Sequence, residues 1–519
     1  LQLYVFHYHL LPGGVTTVIR DGVHALRAHR DLLPGLTQVT VVAAGTEHGG
    51  LAAPVGRRRL DAVGYDDAPA TAAAQRKLAD LLRSRFGDGV WWIHNHHLAK
   101  NTNFTGAVLL AAAAGQPMVL QIHDFPENAR PANLARLQRE VPASAYPAGD
   151  NVRYAVLNER DHDALRAAGC PAEQVVLLAN PVRPAAPVPA AGAAPARAAR
   201  AKLAAAAEAP DPVGTGTLDP ERPLWLYPVR VRRRKNVLEA GLLARLAGAN
   251  LVVTLPASSA AETPYSREVE RLFAGGVIPG LCGVGDRLDA HGLRFDQLVA
   301  AAHVIASPSV EEGFGFQFVN ALQWRRPLLA RRLPVLDDLE ALLAGYPAGV
   351  YDAVCCPLSA AERAVLRAAY EPAAERAARL LPKAAGQHLR AELDTILSGD
   401  TVDFSYLGAA QQAALLRRCG DPEVTRELCA ANAALLDTVR TLPHHAPPDR
   451  AELIEAAFGE APFTRRAAAL LAPLAPLADA RTGTSRAAAA DRAANPVIAP
   501  DAVQRAFAQP GALRLLMES

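Results

Sequence analysis

The sequence predicts an α/β protein of two doubly wound parallel-sheet domains facing a cleft, with an extra helical region at the carboxyl end. Three observations predict it. Short apolar runs of strand length alternate with helix-patterned stretches through residues 1–182, a pattern that marks parallel sheets covered by helices. An Ala- and Pro-rich stretch interrupts at 183–219, and the alternation restarts through 220–356. From 357 to 519 the pattern is almost all helix, with no strand signal of any length.

The elements follow in order. Leu3–Phe6 is a strand that runs on to the Gly13–Gly14 loop. A helix follows with Val15, Val18, Ile19, Val23 and Leu26 on one face. Val39–Ala44, Val90–Ile93, Met118–Ile122, Tyr154–Leu157 and Val175–Leu178 read as strands, with helices over Ala70–Arg85 and Glu159–Ala168. Residues 183–219 read as a linker or insertion with a short helix near Ala198–Ala207. The second series has strands at Leu224–Tyr227, Leu251–Leu255, Val277–Cys282 and Val304–Ala306, and Pro327–Ala330 closes it. Its helices are Val237–Leu246, Ser266–Phe273, Asp296–Ala302 and Phe318–Trp324. The polar, Ala-rich Arg481–Asn495 reads as a loop, and Asp403–Leu407 as a docking segment. Ligands of such sheets bind where strand ends pass into helices.

Composition narrows the function. A length of 519 residues fits about three domains. Lys plus Arg is 54 and Asp plus Glu 52, a net charge of +2, which speaks against a nucleic-acid partner. The hydrophobic fraction of 50% excludes global disorder. The six cysteines form no zinc-spaced pairs and suit a reducing cytoplasm. No run reaches the roughly 18 apolar residues that span a bilayer; Ala467–Ala478 comes nearest and is broken by Pro473 and Pro476. The chain starts at Leu1 on strand-like residues with neither a leader pattern nor a Met, which suggests a trimmed start. The expected location is cytoplasmic, free or peripheral to a membrane. Oligomeric state leaves no trace in the sequence.

Four strand-end segments carry candidate chemistry. Ser309–Phe316 reads Ser-Val-Glu-Glu-Gly-Phe-Gly-Phe between a strand and a helix. Gly313 and Gly315 allow close backbone approach, the helix start presents free N–H groups to phosphate, and Glu312 can accept from sugar hydroxyls. A plain turn with an acidic cap is the competing reading. Arg230 and Lys235 stand five apart at the entry to a helix and can clamp a diphosphate, by fork and by point charge; a solvated basic run competes. Gly13–Gly14 opens the first helix, as a phosphate loop or a tight turn. His123 ends a first-domain strand, as a donor to a ligand oxygen or as a satisfied core ring. His94-Asn95-His96-His97 lacks a well-spaced carboxylate or thiolate, so contacts to the acceptor or loop packing are favoured over a metal. There is no P-loop, and Gly283-Val-Gly285 lacks the third glycine of a dinucleotide fingerprint.

Taken in this order, with Asn180-Pro181-Val182 leading into the linker, these segments resemble a retaining nucleotide-sugar glycosyltransferase of the GT-B fold, family 4, over roughly residues 1–345. The resemblance implies that Arg230 and Lys235 hold the donor diphosphate and that Gly14 meets it from the first domain. It implies that Glu312 contacts the donor sugar, that Gly313, Phe314, Gly315 and Phe316 offer backbone contacts, and that His123 lies near the transferred sugar. It further implies transfer of a hexosyl group from a nucleoside-diphosphate sugar, as co-substrate, to a hydroxyl acceptor. No metal or other cofactor is implied, and the acceptor is a small molecule, a saccharide or a lipid-linked group. One departure stands out: eight positions after Glu312, where the family carries a second Glu for the ribose, stands Asn320. The alternatives are a sugar phosphorylase, a nucleotide-sugar epimerase, or a non-catalytic sugar-nucleotide binding homologue.

Overall fold

The computed structural model describes residues 1–52, 55–128, 130–141, 144–483, 497–507 and 514–515. The first sheet holds β1 (Gln2–His9), β2 (Gln38–Ala44), β3 (Gly56–Arg59), β4 (Val90–His94), β5 (Met118–Gln121), β6 (Val152–Val156) and β7 (Val175–Leu177). Its order is β3-β2-β1-β4-β5-β6-β7 and every pairing is parallel. The second sheet holds β8 (Thr215–Thr217), β9 (Leu224–Arg230), β10 (Asn250–Leu255), β11 (Gly280–Cys282), β12 (Val304–Ser307), β13 (Leu328–Arg331) and β14 (Ala348–Tyr351). Its order is β14-β13-β12-β9-β10-β11-β8, parallel except for β8 against β11. Chain order reverses between β1 and β4 in one sheet and between β9 and β12 in the other. Those are the points where such sheets open a crevice for ligands.

Apolar runs made the central strands legible, because both faces of a parallel sheet are covered; β4, Val-Trp-Trp-Ile-His, is buried throughout. Three edge strands depart from the sequence expectation. β3 is Gly-Arg-Arg-Arg, β8 is Thr-Gly-Thr, and β14 extends the second sheet beyond Pro327–Ala330. An edge strand of three or four residues is held by backbone pairing and needs no apolar signature. The same holds for β15 (Cys355–Pro357) and β16 (Thr401–Asp403), an antiparallel pair in the region read as lacking strands.

The helices form where caps and an apolar face coincide. Gly14–Ala28 buries Val18, Ile19, Val23 and Leu26. The side chains of Thr71, Asn101 and Asn158 cap the helices Ala72–Phe86, Thr102–Ala113 and Glu159–Ala167. Between the sheets, the helix Ala194–Ala207 is longer than the short one expected. Arg481–Gly483 ends the helix Ala475–Gly483 rather than starting a loop, and the rest of Arg481–Asn495 lies outside the described residues.

The helical region serves both sheets. Leu366, Tyr370, Leu393, Leu416 and Val439 join the core around Leu242 and Leu243 of the helix Val237–Ala247. Arg331, fully buried, donates to Glu239 at 2.6 Å and to Asp403 at 2.7 Å. Arg233 donates to the carbonyls of Ser405 and Leu407. These contacts dock Asp403–Leu407 on the second domain. The chain then returns. Val182 donates to the Phe458 carbonyl at 2.8 Å, and Phe463, Leu470 and Leu471 pack with Ile19 and Val23 on the first sheet's helix. Val497 bridges Pro147, and Ile498 and Val503 join the first core. Among the described residues, no helix is long and apolar enough to cross a membrane.

Candidate active site between the two sheets

The loops after β9 and β12 lie side by side. Asn236 adopts a left-handed backbone, φ 51°, which short polar side chains tolerate. It ends the turn Arg233–Lys235 and begins the helix Val237–Ala247. That turn splits the basic run. Arg233 points inward to the helical region, while Arg234 and Lys235 reach the facing loops. Tyr227 ties the loops together, donating to the Lys235 carbonyl at 2.8 Å and sharing a hydrogen bond of 2.7 Å with Ser309. Val310 N–H donates to the Arg234 carbonyl at 2.9 Å. Lys235 Nζ donates to Glu312 Oε1. Burial works to raise the Glu312 carboxyl, but Lys235 and Arg234 outweigh it and hold the group below its usual range. Burial lowers the Lys235 ammonium, and Glu312 opposes that.

The glycines of the second loop are set by contact. A Cβ on Gly313 would lie 2.7 Å from the His123 carbonyl oxygen, so the loop touches the first domain through bare backbone. Gly315 has φ 79°, a left-handed conformation that favours glycine. The helix Phe316–Gln323 starts there without a side-chain cap. The N–H groups of Phe314, Gly315 and Phe316 make no hydrogen bond among the described residues and are open to an anion. Phe314 is buried and stacks edge-on with Phe316 and Phe458.

First-domain residues close on this loop. Asn158 donates to the Gly313 carbonyl at 2.6 Å, and Asn128 to Glu311 at 2.9 Å. Asp124 accepts from Arg130 at 2.8 Å and lies 3.5 Å from Arg234, so one carboxylate serves a guanidinium from each domain. Burial opposes its ionisation, yet Arg130 and Arg234 hold it far below the usual carboxylate range. Arg160 pairs with Asp161 at 2.8 Å and with Glu311 at 3.4 Å. A cavity of about 620 Å³ adjoins these pairs, lined by Asn128, Arg130, Arg234, Glu262, Glu311 and Arg417. Lys235 and Glu312 are not in its lining, so it is a neighbour of their pair rather than the same space.

The structure thus brings together Lys235, Glu312, Gly313 and His123, and disperses other sequence candidates. His123 is 7% exposed; its Nε2 meets His94 Nδ1 at 2.9 Å, and the rings stack at 5.2 Å. Burial lowers its pKa to about 4, so the ring is neutral near pH 7. Arg230 donates to the Pro256 carbonyl at 3.0 Å and forms no ion pair with Glu312. Gly14 sits at an exposed helix start, with open space where a Cβ would project. Asn320 is half-buried, and no described side-chain partner holds it. His96 and His97 are buried against the carbonyls of Ala145 and Asp124. The metal-compatible group among the described residues is instead Glu159, His162 and Asp163, on the surface. Sequence reading missed Asn128, Asn158 and Glu311, because their partners lie more than 100 positions away, and Arg130, whose partner Asp124 also meets Arg234 of the other domain.

Strand order and site define two domains, each built on a seven-stranded and largely parallel sheet, whose strand-end loops meet at a charged crevice. Comparison with models of known protein families finds no match. The chain is 28% identical over 456 residues to a mannosylglucosyl-3-phosphoglycerate synthase of Petrotoga mobilis, covering 85% of each chain. Among solved structures, a sucrose-phosphate synthase from Thermosynechococcus elongatus is similar with TM-score 0.48 and 15% identity, over 92% of this chain and 99% of that one. A UDP-forming α,α-trehalose-phosphate synthase from Burkholderia xenovorans gives TM-score 0.42 and 11% identity, over 92% and 99%.

Proposed function

We propose that the protein transfers a hexosyl group from a nucleoside-diphosphate sugar to a hydroxyl acceptor, with retention of anomeric configuration and without a metal. The observation that carries this reading is the buried Lys235–Glu312 pair beside the unbonded N–H groups of Phe314, Gly315 and Phe316. A departing diphosphate gathers negative charge on its oxygens. Preformed donors in a site shielded from water stabilise that charge most effectively. Lys235, the helix start at Gly315 and, after turning from Pro256, Arg230 supply those donors. With the donor bound, the diphosphate replaces Glu312 on Lys235, and the freed carboxylate accepts hydroxyls of the sugar. Gly14 approaches the same diphosphate from the first domain, and Asn320 bonds the ribose. His123, neutral, offers a ring N–H beside the sugar.

The acceptor proton passes to the leaving phosphate oxygen on the face the donor vacates, which gives retention. The relative's name contains a phosphoglycerate, which supports an acceptor with an anionic end. The test is a panel of UDP-, GDP- and ADP-hexoses, read by thermal shift and by donor hydrolysis, with the product anomer assigned by NMR. Near wild-type turnover in both Lys235→Ala and Glu312→Ala would refute the assignment. Inversion of the anomeric centre would refute the retaining step alone.

A further inference from the structure

The loops at the carboxyl ends of the strands carry more positive charge than a donor diphosphate requires. In the reading above, Arg230, Lys235 and the helix start at Gly315 meet that need. Three further cations remain around the same cleft. Lys100 follows β4 and stands just before Asn101, the cap of the helix Thr102–Ala113; Arg130 follows β5; Arg232 follows β9. We propose that Lys100, Arg130 and Arg232 form a second anion subsite, which holds a phosphate or carboxylate on a small soluble acceptor. This rests on the glycosyl-transfer reading, since it names the acceptor side of that site.

Two of these cations, Lys100 and Arg232, have no carboxylate partner among the described residues, and the third shares one. Lys100 Nζ stands 5.8 Å from the ring centroid of Tyr65 and has no carboxylate partner among the described residues. Asp67, the acidic group that acts on it, is engaged by Arg136 at 3.2 Å. Among the described residues, the Arg232 guanidinium has a single long hydrogen bond, 3.4 Å to Ser258 Oγ. Arg130 shares Asp124 with Arg234. Burial lowers the Lys100 ammonium, and Arg130, Arg136 and Arg232 lower it further, so these charges feel one another. Arg232 is lowered by burial and then by Arg234, Arg230 and Arg130, with Glu262 opposing. Half-buried like charges repel unless an anion joins them, and a phosphate monoester brings about two negative charges and three acceptor oxygens. Guanidinium forks on two sides and an ammonium on the third match that shape.

The position separates this anion from the donor. Lys100 and Arg130 belong to the first sheet, and the second sheet supplies Lys235 and the open N–H groups. Beside Lys100, Tyr65 is 60% exposed and packs its ring edge-on against His9 at 4.9 Å. The exposed part of its ring offers an apolar wall for the acceptor's carbon skeleton. All four side chains sit on strand-end loops, where the crevice admits a small molecule more readily than a membrane.

The experiment is equilibrium binding of 3-phosphoglycerate, as an anionic probe, to the full chain with and without the nucleotide that raises Tm most. The double variant Lys100→Gln/Arg232→Gln should bind the probe about tenfold or more weakly for the charges removed, with nucleotide affinity unchanged. Lys100→Arg should bind within about threefold of wild type. Unchanged nucleotide binding and Tm show that the variants fold, and Arg232→Gln alone serves if the double variant does not. The subsite is overturned if the probe displaces the nucleotide, if wild type and the double variant bind it equally, or if wild type does not bind it at millimolar concentration. Sedimentation with phosphatidic-acid vesicles that is lost in the same variants, without 3-phosphoglycerate binding, would overturn the small-acceptor assignment. A chain that takes no nucleotide yet binds the probe would sink the glycosyl-transfer reading and leave the anion subsite standing.

Discussion

The floor of the first sheet and the rim of the second handle buried polarity in opposite ways. Beneath the cleft on the first side, His7, His94, His96, His97 and His123 are buried and uncharged, in contact with one another or with carbonyl oxygens. On the second side, Lys235, Glu312, Arg234 and Glu311 each lie close to a partner of opposite sign. An imidazole can shed its proton to escape burial, whereas a guanidinium cannot and must find an anion. The cleft is therefore polarised with depth: the buried imidazoles of the first side suit neutral hydroxyls, and the charged loops at the rim suit anions. Proximity in sequence misleads here. His96 and His97 of the His-rich run meet backbone carbonyls, while the ion pairs between the two sides join residues far apart in the chain.

Four experiments would break or sharpen that contrast, in falling order of expected effect. Glu312→Gln removes the anion that accompanies Lys235 and should lower kcat by about a hundredfold, with a lower Tm because the buried ammonium loses its partner; steady-state kinetics below the melting range, beside a melting curve, decide it. Gly313→Ala puts a methyl group 2.7 Å from the His123 carbonyl and wedges the walls apart. About a tenfold drop in kcat is expected, since small misplacements at a reacting centre weigh heavily; unaltered kcat would show that the walls need not touch.

The neutral wall should be sensitive to acid. Burial lowers His96 and His123 to about 4 and His7 to about 3, against 6.5 ordinarily. Below pH 6.5 the unfolded chain therefore binds protons that the folded chain refuses, so stability falls as pH drops towards those lower values. The loss is about 2 kcal/mol for each such ring at pH 5. Thermal melts at pH 7 and pH 5 check it, and His96→Asn should flatten the difference. A Tm that holds steady would mean these rings are already charged. The smallest effect is expected from chelation: EDTA should change transfer by less than about twofold if cationic side chains alone meet the diphosphate.

How much of this could be read from sequence follows from range. The central strands declared themselves as apolar runs because both sheet faces are covered, and Glu-Gly-Phe-Gly declared its turn through glycines whose need is local. β3 could not be read, since three arginines at a sheet edge carry no apolar signal. Asp124 was visible beside His123, but its link to Arg234 spans the two domains and leaves no periodic mark. Arg233 is, in sequence, one more residue of a basic run; only the fold reveals that it is buried against Ser405 and Leu407.

The return of the chain after Phe458 bears on how the enzyme can be shortened. Phe463, Leu470 and Leu471 lie over Ile19 and Val23 on the helix that begins at Gly14. A truncation ahead of residue 460 would not trim a tail. It would peel an outer layer from the domain where the polypeptide starts, leave a greasy stripe facing water, and loosen the very helix whose first turn borders the crevice.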